Sequence, residues 1–191
     1  MSFARFRLSV AMVAVAGSLV AAPVASADTP GRESLLGLTD ASAERALVGD
    51  LVAAAKFGTP APIDDPAREQ VVLDNVRTLS AQLGVDADVA VAVFRDEIEA
   101  NKIVQRGLYA LWTEHPELVP TEKPDLVKTV RPILDRITGE LLEQIKETSL
   151  VQQHPSCQGR LTAAKAQIAH TRHLDTLHRT ALARATASVC R

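Results

Sequence analysis

Three long cationic side chains, Arg45, Lys56 and Arg68, stand 11 and 12 residues apart in a chain of 191 residues, with Glu69 beside the last and Gln105 further on. Together they suit one small dianion. If Arg45 and Lys56 share a helix, 11 residues make about three turns, so the second side chain returns to within roughly 20° of the same face about 16 Å along the axis. Leaning toward each other, the two arms leave a gap the size of a single-ring metabolite, with a cation at each end. Arg68 and Glu69 follow the break Phe57-Gly58-Thr59-Pro60-Ala61-Pro62, so a second helix can close the cage from the side. Asn101 and Gln105, four apart, share one face of a third helix. A lone Arg or Lys on a helix is usually a solvated charge; the joint spacing carries the reading.

The elements that must position these residues are helices. Strand-like alternation is nearly absent, and the chain has no internal repeat or low-complexity tract. The pattern predicts a first helix from about Ser34 to Phe57, ended by Gly58 and Pro60, with Gly49 as its weak point. Asp64 or Asp65 caps a second, with Pro66 in its first turn and an end near Gly84. Asp86 caps a third, which runs to about His115, before a connection marked by Pro116, Pro120 and Pro124. A fourth starts at Asp125 and runs to about Thr148, where Pro132 is tolerable only near the first turns. After His154-Pro155 come segments from Cys157 to about Thr171 and from about Leu174 to Cys190. The expectation is an all-α, single-domain bundle of about five to six helices with its site inside one chain.

The first residues read as an export signal: Arg5 and Arg7, an apolar run from Leu8 to Ala22, and Ala25-Ser26-Ala27 before Asp28. The apolar run is shorter than the ~20 residues a bilayer requires. This predicts a signal peptide over 1–27 and a mature domain over 28–191. Losing Arg5 and Arg7 leaves 19 basic against 23 acidic residues. Nucleic acid is thereby an unsuitable partner, whereas a cationic pocket in an acidic molecule fits a small anion. Cys157 and Cys190 both lie in the mature part, where exported thiols usually pair, and no Cys-x-x-Cys motif marks them as redox-active. His170, His173 and His178, with Asp175 between, are the rival signal for a metal site. Five residues turn a helix by about 500°, so His173 and His178 share no face, and no Cys or Glu completes a set. The reading is therefore of no metal and no cofactor, with Arg172, His173 and Asp175 tying the C-terminal segments to the bundle.

Ala43-Glu44-Arg45, Lys56 eleven residues on, Asp65-Pro66-Ala67-Arg68-Glu69 and Gln105 resemble the all-helical chorismate mutases. The secreted, gamma subclass fits best, since the resemblance runs from about Leu35 to Cys190 through Pro124-Asp125-Leu126, Arg131, Arg172-His173-Leu174-Asp175 and both cysteines. It implies that Lys56 and Gln105 donate to the ether oxygen of chorismate, and that Arg45, Arg68 and Arg131 clamp its carboxylates, with Arg136 as the alternative to Arg131. Glu69 and Asp65 would face the ring hydroxyl, though Asp65 has a competing role as helix cap. Asn101, one turn before Gln105, joins the substrate-binding set. Val72 stands where some secreted members carry a polar Gln, which dries that wall. The resemblance also implies that the chain could pair as a homodimer. Two rival functions remain at this stage: a secreted interaction protein that keeps the fold without activity, and a metal-binding protein built on the C-terminal histidines.

Overall fold

The computed structural model describes residues 34–191, so the expected signal peptide at 1–27 lies outside the described residues. Among the described residues seven α-helices follow one another: α1 Leu36–Lys56, α2 Pro66–Leu83, α3 Ala87–Glu114, α4 Arg131–Glu147, α5 Ser149–Gln152, α6 Cys157–Thr171 and α7 Thr176–Ala185. The bundle is all-α, and α5 is a single turn beyond the five to six helices expected. No described helix is long and apolar enough to cross a membrane.

Helix α1 is the element around which the others assemble, packing on α3, α4, α6 and α7. Its composition explains this: Ala43, Ala46, Ala53 and Ala54 are buried and short, so neighbouring helices approach its backbone from several sides. Gly49, expected to weaken the helix, instead permits a close approach of α3. A Cβ there would stand 2.9 Å from Val104 Cγ1 on α3. The loss in helix propensity, about 1 kcal/mol, is offset by seating α3 directly on α1.

Caps set the boundaries as expected. The Asp65 Oδ1 accepts from Arg68 N at 3.0 Å ahead of Pro66, and α2 stops at Gly84, whose φ of +69° is the left-handed conformation glycine favours. Asp86 accepts from the amides of Asp88 and Val89 to start α3. The fourth helix begins differently from the expectation. Leu126–Val130 form a π-helical turn, in which the Asp125 carbonyl accepts from both Thr129 N and Val130 N, before regular winding starts at Arg131. Pro132 has no amide to donate and its ring crowds the carbonyl four residues back, so the chain widens by one residue at this point. The main core lies under α1, α3 and α4, where Leu38, Phe94, Ile137, Leu141, Leu142 and Ile145 are fully buried or nearly so. Phe57, Tyr109 and Trp112 close one end with edge-on contacts.

The C-terminal helices are fastened at several points, among them a disulfide, an arginine–carboxylate pair and a buried histidine. Cys157 and Cys190 form a disulfide with Cα atoms 5.7 Å apart, closing a loop of 33 residues, which stabilises by about 3–4 kcal/mol in a chain-entropy account. Arg172 grips Asp40 on α1 with two hydrogen bonds of 2.5 and 2.7 Å. His178 on α7 is buried between two carboxylates, with Nε2 3.0 Å from Asp50 and Nδ1 2.8 Å from Asp175. His173 does not take the tying role expected of it; it is exposed in the turn between α6 and α7 with φ +52°. Among the described residues no three His, Cys, Asp or Glu side chains gather in a way that could hold a metal.

Chiefly through the hydrogen bond to Asp50, and against the effect of burial, the pKa of His178 is pushed up to about 9. Its folded value exceeds the unfolded one of about 6.5, so its stabilising contribution is complete below pH 6.5 and is lost as pH rises through about 9. The difference in melting temperature between the protein and its His178→Asn variant should therefore narrow steadily between about pH 6.5 and 9.5. A difference independent of pH in thermal melts would contradict the charged, doubly bonded imidazole.

Candidate active site

A cavity of about 660 Å³ opens between α1, α2, α3 and the start of α4. Helix α1 contributes Arg45 and Lys56, the start of α2 contributes Asp65, Arg68, Glu69 and Val72, α3 contributes Asn101 and Gln105, and Arg131 projects from the first residue of α4. Every substrate-contacting residue expected from the sequence thus lines one space, within the size range of small-molecule sites. Val52, Ile98, Leu126 and Leu134 supply apolar wall between the charges. Arg136 does not line the cavity; it faces away and pairs with Glu44 and with Glu140.

The cations differ in their freedom. Arg45 is buried; Nη1 donates to the Leu134 carbonyl at 3.3 Å and the Thr138 hydroxyl at 3.4 Å, and the guanidinium stands 5.5 Å over the Phe94 ring. Burial lowers its pKa, while Glu97 and Asp135 oppose that shift. Lys56 is half-buried, and desolvation likewise lowers its pKa against the field of Asp65, Asp64 and Glu69. Arg68 and Arg131 are exposed at the cavity mouth, long and unconstrained by ion pairs among the described residues. Gln105 is buried, and its Nε2 donates one hydrogen to Asn101 Oδ1 at 2.7 Å, so the amide is held by its neighbour one turn back.

Two features that the sequence reading did not single out lie in and behind this wall: a charge cluster centred on Lys102, and a buried carboxyl. Lys102, buried beside Asn101, lies 2.8 Å from Glu69, 2.8 Å from Glu99 and 3.3 Å from Asp64. Burial disfavours its charge, but the hydrogen bonds to Glu69, Glu99 and Asp64 outweigh that and raise its pKa. Lys102 fixes Glu69, which also accepts from Asp65 N at 3.3 Å. Arg106 completes the cluster with two 2.8 Å hydrogen bonds to Asp64. The second feature is Glu97, wholly buried behind Arg45, with 3.9 Å between its Oε2 and Arg45 Nε. Asp65 caps α2 and also lines the cavity.

An all-helical fold with a cationic, amide-lined cavity is what the resemblance in the sequence implies, and comparison with known proteins agrees. Residues 37–106 match the family model for chorismate mutase type II. The chain is 35% identical over 168 residues to a secreted chorismate mutase of Mycobacterium tuberculosis, covering 88% of this chain and 83% of that protein. It is 36% identical over 183 residues to a secreted chorismate mutase of Mycolicibacterium smegmatis, covering 96% and 98%. The crystal structure of chorismate mutase from Burkholderia phymatum superposes with a TM-score of 0.80 at 31% identity, over 84% of this chain and 98% of that one. The chain belongs to the chorismate mutase family. Within it, the similarity is to secreted members, and like them the chain is exported.

Removing the Lys102 charge leaves Glu69 and Glu99 without their shared cation, and Asp64 with Arg106 alone. Lys102→Met should lower stability by about 1–3 kcal/mol in urea titrations at low salt, the partial exposure of the carboxylates keeping the figure below that of a fully buried pair. The deficit should shrink in about 1 M NaCl, where repulsion over these distances is screened. A salt-independent deficit would mean that lost packing, and not charge, is responsible.

Proposed function

We propose that this protein rearranges chorismate to prephenate in the cavity between α1, α2, α3 and α4, by preorganised electrostatics and without a covalent intermediate. The observation that carries the reading is the convergence of Arg45, Lys56, Arg68, Arg131 and Gln105, from four separate elements, on one cavity. All of them belong to one chain, so homodimerisation is not needed to complete the site.

Chorismate carries two carboxylates, a ring hydroxyl and an ether oxygen. Its rearrangement breaks the carbon–oxygen bond of the ether as a new carbon–carbon bond forms, and no proton is transferred. The protein therefore has two tasks: to hold the enolpyruvyl arm folded over the ring, and to meet the negative charge that grows on the ether oxygen. Arg45, Arg68 and Arg131 serve the first by gripping carboxylates, for which the planar two-pronged guanidinium is better suited than an ammonium. Lys56 Nζ and the second hydrogen of Gln105 Nε2 serve the second. The hydrogen bond from Gln105 to Asn101 supports this assignment, since it uses one amide hydrogen and leaves the other free to point at the substrate. Glu69, steadied by Lys102, accepts from the ring hydroxyl, and Asp65 faces the same edge. Val72 makes its side of the cavity apolar and strengthens the charges acting across it.

Lys56→Ala and Arg45→Ala should each lower kcat/KM for chorismate by at least ~10²-fold with the helical circular dichroism retained, followed as loss of chorismate absorbance. Near-normal turnover in either variant would remove the site assignment. Gln105→Glu places a carboxyl at a buried position, where it donates only while protonated. Its activity should fall as pH rises from about 5 to 7 while that of the unaltered protein holds level; coincident profiles would exclude the ether-oxygen role.

A further inference from the structure

Glu97 lies outside the cavity and has no part in the chemistry described above, yet its placement is costly enough to need a reason. Its side chain is fully buried, and neither carboxyl oxygen has a hydrogen-bond partner of acceptable geometry among the described residues. A buried, ionised carboxylate without donors is among the most unfavourable arrangements in a protein interior. The nearest compensating charge is Arg45, whose Nε is 3.9 Å away and is itself without a hydrogen bond. Arg45 faces the cavity with the rest of its guanidinium. One cation therefore stands between an internal carboxyl on one side and the space for a substrate carboxylate on the other.

We propose that Glu97 is a positioning residue that acts through Arg45 and must carry a proton for the anionic substrate to bind well, so that substrate binding draws a proton onto Glu97. This rests on the function proposed above, in which Arg45 holds a substrate carboxylate. With Glu97 neutral, the whole charge of Arg45 is available to the substrate. With Glu97 ionised, the two carboxylates compete for one guanidinium and repel each other.

The surroundings set where this exchange occurs. Burial, partly offset by Arg45, pushes the Glu97 pKa up to about 8. From α1, besides Arg45, the Ser42 hydroxyl stands close enough to favour the ionised form slightly without making a hydrogen bond. On α3, Asp96 opposes ionisation, but it is paired with Arg184 of α7 and accepts from Ser188 N at 2.7 Å, so its influence on Glu97 is small. From α4, Asp135 supports the charge of Arg45, and Thr138 accepts from its Nη1. A dianion bound against Arg45 makes ionisation of Glu97 harder still, so the bound form keeps its proton to higher pH than the free protein. The pH dependence should consequently fall on KM and kcat/KM and leave kcat level.

The test compares the unaltered protein with Glu97→Gln, which has nearly the same shape and no titration. Referred to their own values at pH 6.5, kcat/KM of the unaltered protein should fall about tenfold between pH 7 and 9, with the loss in KM, and that of Glu97→Gln should stay level over the same range. Lys56 and His178 are present in both, so the difference belongs to Glu97. Calorimetric titration near pH 8 with a bicyclic dicarboxylate that mimics the transition state, in two buffers of different ionisation enthalpy, should show uptake of a fraction of a proton by the unaltered protein and none by the variant. Identical profiles, or binding without proton uptake by the unaltered protein, would overturn the role of Glu97 while leaving the enzymatic reading intact. Absence of both chorismate turnover and dicarboxylate binding in the unaltered protein would overturn the function itself, and this inference with it. Should the variant not fold, proton uptake by the unaltered protein still decides.

Discussion

Placing a guanidinium inside a helical bundle is unfavourable by several kcal/mol unless its charge is met by dipoles, ring faces and an opposite charge. Arg45 is met by the Leu134 carbonyl and Thr138 hydroxyl of α4 and by the Phe94 ring of α3, with Glu97 of α3 supplying the opposite charge only when it is ionised. These come from the same two helices that wall the cavity opposite α2, so holding this one cation fixes α1, α3 and α4 relative to one another. The site and the scaffold are therefore not separable. The contacts that keep the arginine from solvent also aim it.

The same economy appears in the close approach of α1 to α3. Gly49 brings the α3 backbone near enough for Asn101 and Gln105 to reach the space between Arg45 and Lys56, and an added Cβ at that position would also approach Asn101 Nδ2 at 3.3 Å. A methyl group there would separate the amide donor from its cationic counterpart. Around this seam the charges are sorted by depth. The cavity holds cations with few ion pairs, and the carboxylates Asp64, Glu69 and Glu99 are gathered on Lys102 at its edge. An acidic molecule thus gathers cations in one cavity, which suits a small dianion.

Much of this arrangement was legible in the sequence because it depends on short-range rules. Helix starts followed from Asp65-Pro66 and Asp86, a stop from Gly84, and the Arg45–Lys56 pair from the pitch of one helix. The remaining site positions came from resemblance, and between Arg131 and Arg136 it is Arg131 that lines the cavity, which the sequence alone does not show. What stayed hidden depends on three-dimensional neighbours. Lys102 reads as one more surface lysine until Asp64 and Glu69, from the other side of a Pro-rich break, are brought against it. Glu97 sits in the charged run Arg95-Asp96-Glu97, where nothing local says that the second and third side chains turn inward to meet α7 and α1. The π-helical turn before Pro132 and the single-turn α5 likewise reflect how the chain accommodates a proline and a corner, which periodicity does not register.

The link between Cys157 and Cys190 gives the molecule two mechanical conditions. In a reducing interior the thiols stay apart, and α7, which packs along α3 and reaches Asp96 through Arg184, is retained by non-covalent contacts alone. In oxidising surroundings the strap closes, the terminal Arg191 amide settles on the Gln152 carbonyl, and the wall behind the site is braced from outside. The polypeptide is thus loosest where its thiols are kept reduced and firmest where they pair.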